Sequence, residues 1–413
     1  MIIAVLFLVG GSVIMLTGVA APVLTDIRTV SEFSASRQSY SLAEGGVEDV
    51  AYRLMEGLPV SSTETLVEGT TEAETTNATV LGMREVVAVG DERSAIRRTK
   101  LVLEEGSGAS FFYGLQSDTG GIHLKNSATI RGNVYSNGPV SGENSNIVRG
   151  SVVSAGAAGL IDGVHATGTA YAHTIDDSDI DGDAYYQVID DTDVGGTEYP
   201  GSTDLATSTM PIPDSLIEEW KSAAAAGGTY AGTCPYKISS STTTGPLKIP
   251  CNVEITGTPT ITLNGNVWVL GNIDIQNSAT MNVGSSLSGK TVAIVADNPS
   301  NQTGSGKITL KNSAVFNGAG ENSYILFVSQ NRSAQMGGAV TAIDVQNSVQ
   351  GDLLVYAAHG KIILKNSIDL KEVAAYRIEV ENSAEVIYES GLTNLLFTTG
   401  PAGGYTIESW REI

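Results

Sequence analysis

LKNSATI, residues Leu124–Ile130, decides the reading of the fold, because the chain keeps returning to it. IQNSATM stands at Ile275–Met281, LKNSAVF at Leu310–Phe316, VQNSVQG at Val345–Gly351, LKNSIDL at Leu364–Leu370 and VENSAEV at Val380–Val386. A weaker copy, GENSNIV, lies at Gly142–Val148. The asparagines are Asn126, Asn144, Asn277, Asn312, Asn347, Asn366 and Asn382, with gaps of 18, 35, 35, 19 and 16 around a central interruption. A gap of 35 reads as about twice 18, with Asn331 dividing one such interval and Asn298 the other less evenly. A fixed period of short strands and Asn/Gly corners predicts stacked coils. In a parallel β-helix each coil lays three short strands on three faces, and coils stack at ~4.8 Å. Asn suits the corner because it tolerates the left-handed conformation and its amide can hydrogen-bond up the column. The residue before most of these asparagines is polar and the one before that apolar, so side chains alternate outward and inward. An antiparallel sandwich would not keep one phrase at one corner, and the LxxLxLxxN spacing of leucine-rich repeats is missing. The expected fold class is mainly β: a long N-terminal hydrophobic α-helix, then a right-handed parallel β-helix (a single-stranded solenoid) with one short inserted helix.

The repeat is interrupted between about Ile161 and Gly257. From Ser151 to Trp220 there is no Lys or Arg, but there are 14 Asp or Glu. At its centre, Asp177, Asp179, Asp181 and Asp183 with Gly182 match the first half of a DxDxDG calcium loop; the twelfth position, which should be acidic, is Val188. Calcium is the one cofactor this suggests, against an acidic turn-rich loop between coils. A short helix follows Pro213, with Ser215 and Glu218 spaced as a capping box, Leu216, Ile217 and Trp220 as its apolar face, and Gly227-Gly228 at its end. Cys234 and Cys251 lie 17 residues apart, about one coil, without CxxC or His companions. A disulfide between adjacent coils is therefore expected rather than zinc. Tyr405–Ile413 reads as a last strand covering the open end of the stack.

Before the repeats come Met1 to Leu24, without a charged residue. As a helix they span ~36 Å, enough for a ~30 Å hydrocarbon core. Ile27, Val30, Phe33, Tyr40, Val47, Val50 and Leu54 continue at helical spacings, so the pattern becomes one-faced. Leu58–Thr76 reads as a linker or an irregular strand, and VLGMREVVAV and IRRTKLVLE as two antiparallel strands joined at Gly90-Asp91-Glu92.

MIIAVLFLVGGSVIMLTGVAAPVL and Ser36–Gly57, with Ala43-Glu44-Gly45-Gly46 as a small-residue box, resemble the N-terminal helix of type IV pilin-like proteins, especially the PilX-like minor pilins. Val5 stands where major pilins carry Glu. The resemblance runs from Met1 to about Leu58 and does not extend to the usual pilin head. It implies a membrane and assembly helix carried by Val5, Leu8, Met15, Pro22 and Glu44, with other pilin-like subunits as partners. Pro22 would kink that helix.

The domains expected are 1–58, a pilin-like helix with 1–24 transmembrane; 59–118, a linker and small antiparallel collar; and 119–413, the β-helix with an acidic insertion at about 161–230. The formal net charge of −22 excludes nucleic acid as a partner, since phosphate binding needs a basic surface. Catalysis has little to stand on. Asp344, Asp352 and Asp369 lie in separate phrases, His123, His165, His173 and His359 are scattered, and no GxSxG, P-loop or HExxH occurs. The reading is a non-enzymatic cell-envelope protein: a pilus- or pseudopilus-type subunit displaying a β-helix for adhesion to a surface glycan or protein, or for assembly. A membrane-anchored surface protein without a filament and a carbohydrate-active enzyme are the alternatives.

Overall fold

The computed structural model describes residues 2–55, 60–68, 71–80, 83–105, 111–388, 392, 395, 397–398 and 405–413. The chain divides into two compact units, 1–105 with 405–413, and 106–404.

In the first unit, α1 (Ile2–Met55) packs on a five-stranded antiparallel sheet. The strands are ordered β1 (Thr63–Glu68), β2 (Thr71–Val80), β3 (Met83–Glu92), β4 (Ala95–Glu105) and the C-terminal strand Tyr405–Glu412. Ala43, Val47, Val50 and Leu54 recur every three or four residues and bury against Val86, Ala88, Leu101 and Leu103. The Thr-rich stretch, expected as a linker or an irregular strand, is largely β1 and the start of β2. Its alternate residues Ala73, Thr75 and Asn77 are buried, so a strand has a face to fill. The β3–β4 turn falls at Arg93-Ser94, both left-handed, rather than at Gly90. Gly90 is held in the strand because a Cβ there would lie 2.1 Å from the Ser39 carbonyl oxygen of the helix crossing it.

The fold class read from the sequence is corrected in two respects. Among the described residues no helix is long and apolar enough to cross a membrane. From Ala35 to Leu54 α1 is amphipathic, with one side buried on the sheet and the other mostly polar, so the long hydrophobic helix is withdrawn. Val5, Leu8, Met15 and Pro22 lie in the stretch 2–22, whose side chains are outside the described residues.

The second respect is chain order in the second unit. Its short strands form three ladders in which every pairing is parallel. The first coil comprises Leu115–Ser117 on face one, Ile122–Lys125 on face two and Thr129–Arg131 on face three. It does not begin the stack. Leu115 pairs with Val373, Ile122 with Ile378 and Ile130 with Val386, so the first coil lies on the last. From this seam one run of coils, 115–200, builds outward. The other run, 236–387, starts at the far end and returns to the seam. A one-way solenoid of the 12 rungs seen on face three would leave its chain ends roughly 50 Å apart at ~4.8 Å per rung. Starting in the middle brings them together. Glu105 and Tyr405, where the chain leaves and re-enters the first unit, are themselves paired neighbours. Tyr405–Glu412 therefore completes that sheet.

The core is columnar. Ile378, Ile122, Val140, Ile161, Ile175 and Ile189 stack on successive rungs of face two, as do Val386, Ile130, Val148, Ala166, Ile180 and Val194 on face three. The region expected as an acidic insertion is part of this stack. Its coils are shorter than those before it: the step from Val140 to Ile161 is followed by the tighter steps Ile161 to Ile175 and Ile175 to Ile189.

The chain passes from one end to the other by a strap, 201–212. Leu205 O accepts from Gly156 N, Ala206 O from the Tyr135 hydroxyl and Thr209 O from Gln116 Nε2, on successive coils. Ile212 O accepts from Tyr356 beyond the seam. Then α2 (Asp214–Ala226) lies on the outside of face one. Leu216, Ile217 and Trp220 cover Ala293, Val295, Leu326, Val328 and Tyr356. The strands beneath, Val292–Ala296 and Ile325–Ser329, are buried throughout because apolar layers lie on both sides. The capping box does not form: Pro213 is the N-cap, and Glu218 turns to Lys221.

Candidate functional site

The surface that stands out in the first unit is the part of α1 ahead of the sheet. Val23, Ile27, Val30 and Phe33 are spaced by three or four residues and are 49%, 60%, 68% and 60% exposed. Arg37 lies over the Phe33 ring at 4.9 Å. The Ala43–Gly46 box marks where the helix meets the sheet. A Cβ on Gly46 would come within 2.5 Å of Thr75 Oγ1, so the small residue sets the close approach. Ser39 Oγ donates to Ala95 O and accepts from Glu92 N, tying the helix to the β3–β4 turn. Glu44 is outside this contact and accepts a hydrogen bond from the Tyr40 hydroxyl at 3.3 Å.

In the second unit the predicted corner asparagines come together in one column. Each has φ between 50° and 64°, and the serine after it is left-handed too. Their amides donate from Asn144 to Asn126, then to Asn382, Asn366, Asn347, Asn312 and Asn277, at 2.8–3.4 Å. The ladder runs straight through the seam. It also corrects the period: Asn277, Asn312 and Asn347 are direct neighbours, so a gap of 35 is one coil and not two. The surplus residues leave as the excursions 297–307 and 330–340, and Asn331 is buried with its amide on Ser305 O.

Cys234 and Cys251 are bonded, with Cα atoms 5.9 Å apart. Asp177, Asp179, Asp181 and Asp183 do not wrap a loop. Asp179–Ile180 is a face-three strand, Asp177 is a left-handed corner, and Asp183 Oδ1 accepts from Thr197 N. The strand's alternation sends Asp179 and Asp181 outward, where they meet His165 of the preceding coil. The His165 Nε2 and one oxygen of each carboxylate lie within 4.8 Å of one another. In-register pairing also stacks Asp162, Asp176 and Asp190, and Tyr171, Tyr185 and Tyr199, whose ring centroids are 4.6 and 4.3 Å apart. Burial, with Asp176 and Asp177 close by, pushes the Asp162 carboxyl above the usual carboxylate range.

A signal for these coils exists in the sequence. LIDGVHATGTAYAH, TIDDSDIDGDAYYQ and VIDDTDVGGTEYPG, starting at Leu160, Thr174 and Val188, are three tandem copies of one phrase. The reading keyed to NS passes over them because Gly163, Asp177 and Asp191 occupy the corner instead.

Buried ionisable groups also escape sequence reasoning. Lys221 of α2, 5% exposed, meets Asp297 at 2.7 Å and Glu218 at 2.6 Å. Burial lowers its pKa, but the hydrogen bonds to Asp297 and Glu218 outweigh this and the net shift is upward. Glu372 is fully buried, neither of its carboxyl oxygens has a hydrogen bond, and burial raises its pKa well above the usual range.

No family model matches the chain, and no curated protein does. Among solved structures, the competence-associated pilin ComZ from Thermus thermophilus is matched over 92% of this chain and 97% of its own, at 9% identity. The TM-score is 0.22, and at that value the likeness carries no argument about fold or function.

Proposed function

We propose that the chain is a non-enzymatic structural subunit of a pilus- or pseudopilus-type assembly at the cell envelope. In this reading the part of α1 ahead of the sheet packs against like helices of neighbouring subunits, and the coil stack is displayed for adhesion. The observation that supports it is the row Val23, Ile27, Val30 and Phe33. One helix has its second half committed to a sheet and an apolar row left exposed in its first. Burying such a row is worth roughly 1.5–3 kcal/mol per large side chain, which favours helix–helix association. The PilX-like resemblance of the stretch from Met1 to Gly57 is in keeping with this. The absence of catalysis from the proposal rests on local pairing of the carboxylates: Asp352 accepts from Gly318 N, and Asp344 is held by Gln346 and Lys365.

The test is photo-crosslinking in cells, with a photoreactive residue at Val30 or Phe33 and a control at Glu408 on the C-terminal strand. Adducts with further copies or with other helix-bearing subunits, specific to Val30 and Phe33, are expected. Equal yields at all three positions, or none at Val30 and Phe33, would sink the reading.

A further inference from the structure

Lys221 and Asp297 meet where α2 lies on the coils. Their side chains are 5% and 2% exposed, and Lys221 Nζ stands 2.7 Å from Asp297 Oδ2. Both ends of the contact are fixed. Lys221 is in the middle of α2, next to the buried Trp220. Asp297 follows directly on the strand Val292–Ala296 and opens the excursion 297–307. Its N–H donates to Val269 O, and its carbonyl accepts from Trp268 Nε1 at 3.2 Å. The Trp268 ring centroid is 5.0 Å from Nζ.

Two further groups touch the pair, each on the atom where amide formation needs it. Gln302 Nε2 donates to Asp297 Oδ1 at 3.0 Å, so a donor faces the oxygen on which charge develops. Glu218 Oε1 lies 2.6 Å from Nζ, and its side chain is 65% exposed, which gives protons a route to water. Burying two charges costs hydration that their attraction only partly returns. Transfer of one proton along the Nζ–Oδ2 contact turns them into an amine beside a carboxylic acid, both neutral, with no outside base. Groups held in this way react with effective molarities on the order of 10⁵–10⁸ M. A site closed to water favours condensation over hydrolysis.

We propose that Lys221 and Asp297 join in an intramolecular amide crosslink that fastens α2 to the coil stack. Nζ attacks Asp297 Cγ and the N–Cγ bond forms, while Gln302 steadies the charge on Oδ1. Glu218 takes the surplus proton from the nitrogen, a proton returns to Oδ2, and the Cγ–Oδ2 bond breaks with release of water. One water is lost, and nothing is oxidised or reduced. The chain folds with the ion pair and the link follows, so the ion pair's share of stability is read on unlinked chain. The link joins residues 76 apart and adds a second staple to Cys234–Cys251. It does not involve α1, so it stands or falls apart from the filament reading.

The experiment is mass spectrometry of the full chain, reduced and denatured, both freshly purified and after prolonged incubation. Lys221→Arg is the reference, because a guanidinium keeps the charge and does not attack a carboxyl. Allowing for the substitution, the aged wild-type chain should be lighter than this variant by one water. Trypsin should no longer cut after Lys221, and a branched peptide should join Lys221 to Asp297. The peptide map separates the link from cyclisation at Asp297 alone, which also loses a water but leaves Lys221 open to trypsin. Glu218→Gln, on the exposed side of α2, should link roughly a hundredfold more slowly, as for a lost proton acceptor. Full mass in the aged wild-type chain, cleavage after Lys221 despite the lost water, the same loss in Lys221→Arg, or an unchanged rate in Glu218→Gln would each overturn the proposal.

Discussion

The two runs of coils make the same corner with opposite chemistry. In the coils from Asn277 to Asn382, and in the first two coils after the seam, the corner is Asn-Ser and the amides form a continuous ladder. In the short coils that follow, the corner is Gly163, then Asp177 and Asp191, with Asp176 and Asp190 stacked just before. An amide donates and accepts, so a column of amides satisfies itself. An ionised carboxylate only accepts, so each rung adds a like charge at ~4.8 Å. Backbone register and apolar core columns are common to both runs. The corner therefore does not decide whether a coil forms; it decides whether the column helps or opposes stacking. The runs differ in cladding too. The long-coil run lies under α2 and a second apolar layer, whereas the short coils have the strap against them, with Asp204 at 3.1 Å from His173 Nδ1.

The cladding offers the largest effect. Lys221→Met leaves Asp297, 2% exposed, without its ammonium, and breaking a buried pair this way costs about 3–5 kcal/mol. Equilibrium denaturation should show the loss. Asp297→Leu on that background should return much of it, because a paired charge is then replaced by apolar contact. If Lys221→Met costs less than about 1 kcal/mol, below the range for a broken buried pair, the pair is not what holds α2 down.

The ladder comes next. Asn382→Ala removes the bonds to Asn366 and from Asn126, and puts an ordinary residue at φ 58°. About 2 kcal/mol is expected, from two exposed hydrogen bonds and the left-handed conformation. Asn382 also joins the two runs, so the loss should appear in hydrogen exchange on both sides of the seam. A loss confined to one side would show that the seam does not couple them.

How much of this is legible in the sequence follows from the same chemistry. The NS phrase can be read because one side chain must satisfy two constraints, the left-handed corner and the ladder, and Asn does both. The disulfide follows from its one-coil spacing. The short coils escape because their corner needs only a left-handed residue, which Gly and Asp also supply. The long gaps between Asn277, Asn312 and Asn347 mislead because strand registry fixes pairing but not the length of an excursion between strands. Chain order is hidden for a deeper reason: parallel coils with alike inward residues can stack in either succession, and the demand that Glu105 and Tyr405 be neighbours is a long-range one. Asp274 and Asp344, which registry sets two rungs apart, look isolated in sequence because two whole coils, each with its excursion, run between them.

The smallest effect bears most directly on the two corner chemistries. Asp177→Asn with Asp191→Asn gives the short coils amides where the long coils have them, at φ 44° and 37°. Both sites are exposed, so the gain is screened and should be only about 0.5 kcal/mol. The pH dependence is more telling. Asp162 has its pKa raised in the folded state by burial, Asp176 and Asp177, so between the unfolded and folded values the folded form holds the extra proton. Stability of the short coils should therefore be greatest in acid and fall as pH rises from the ordinary carboxylate range, about pH 4, through the raised value. Opening free energies of the Ile161 and Ile175 amides, from hydrogen exchange, should show this fall, and those of Ile255 and Ile275, four or more rungs from the buried Glu372 and its own raised pKa, should not. Removing the Asp177 charge takes away one of the causes, so the double variant should flatten the fall without abolishing it, since burial and Asp176 remain. An unchanged slope would mean that the corner carboxylate Asp177 is not felt at Asp162, and the contrast between the two runs would then be one of coil length and cladding.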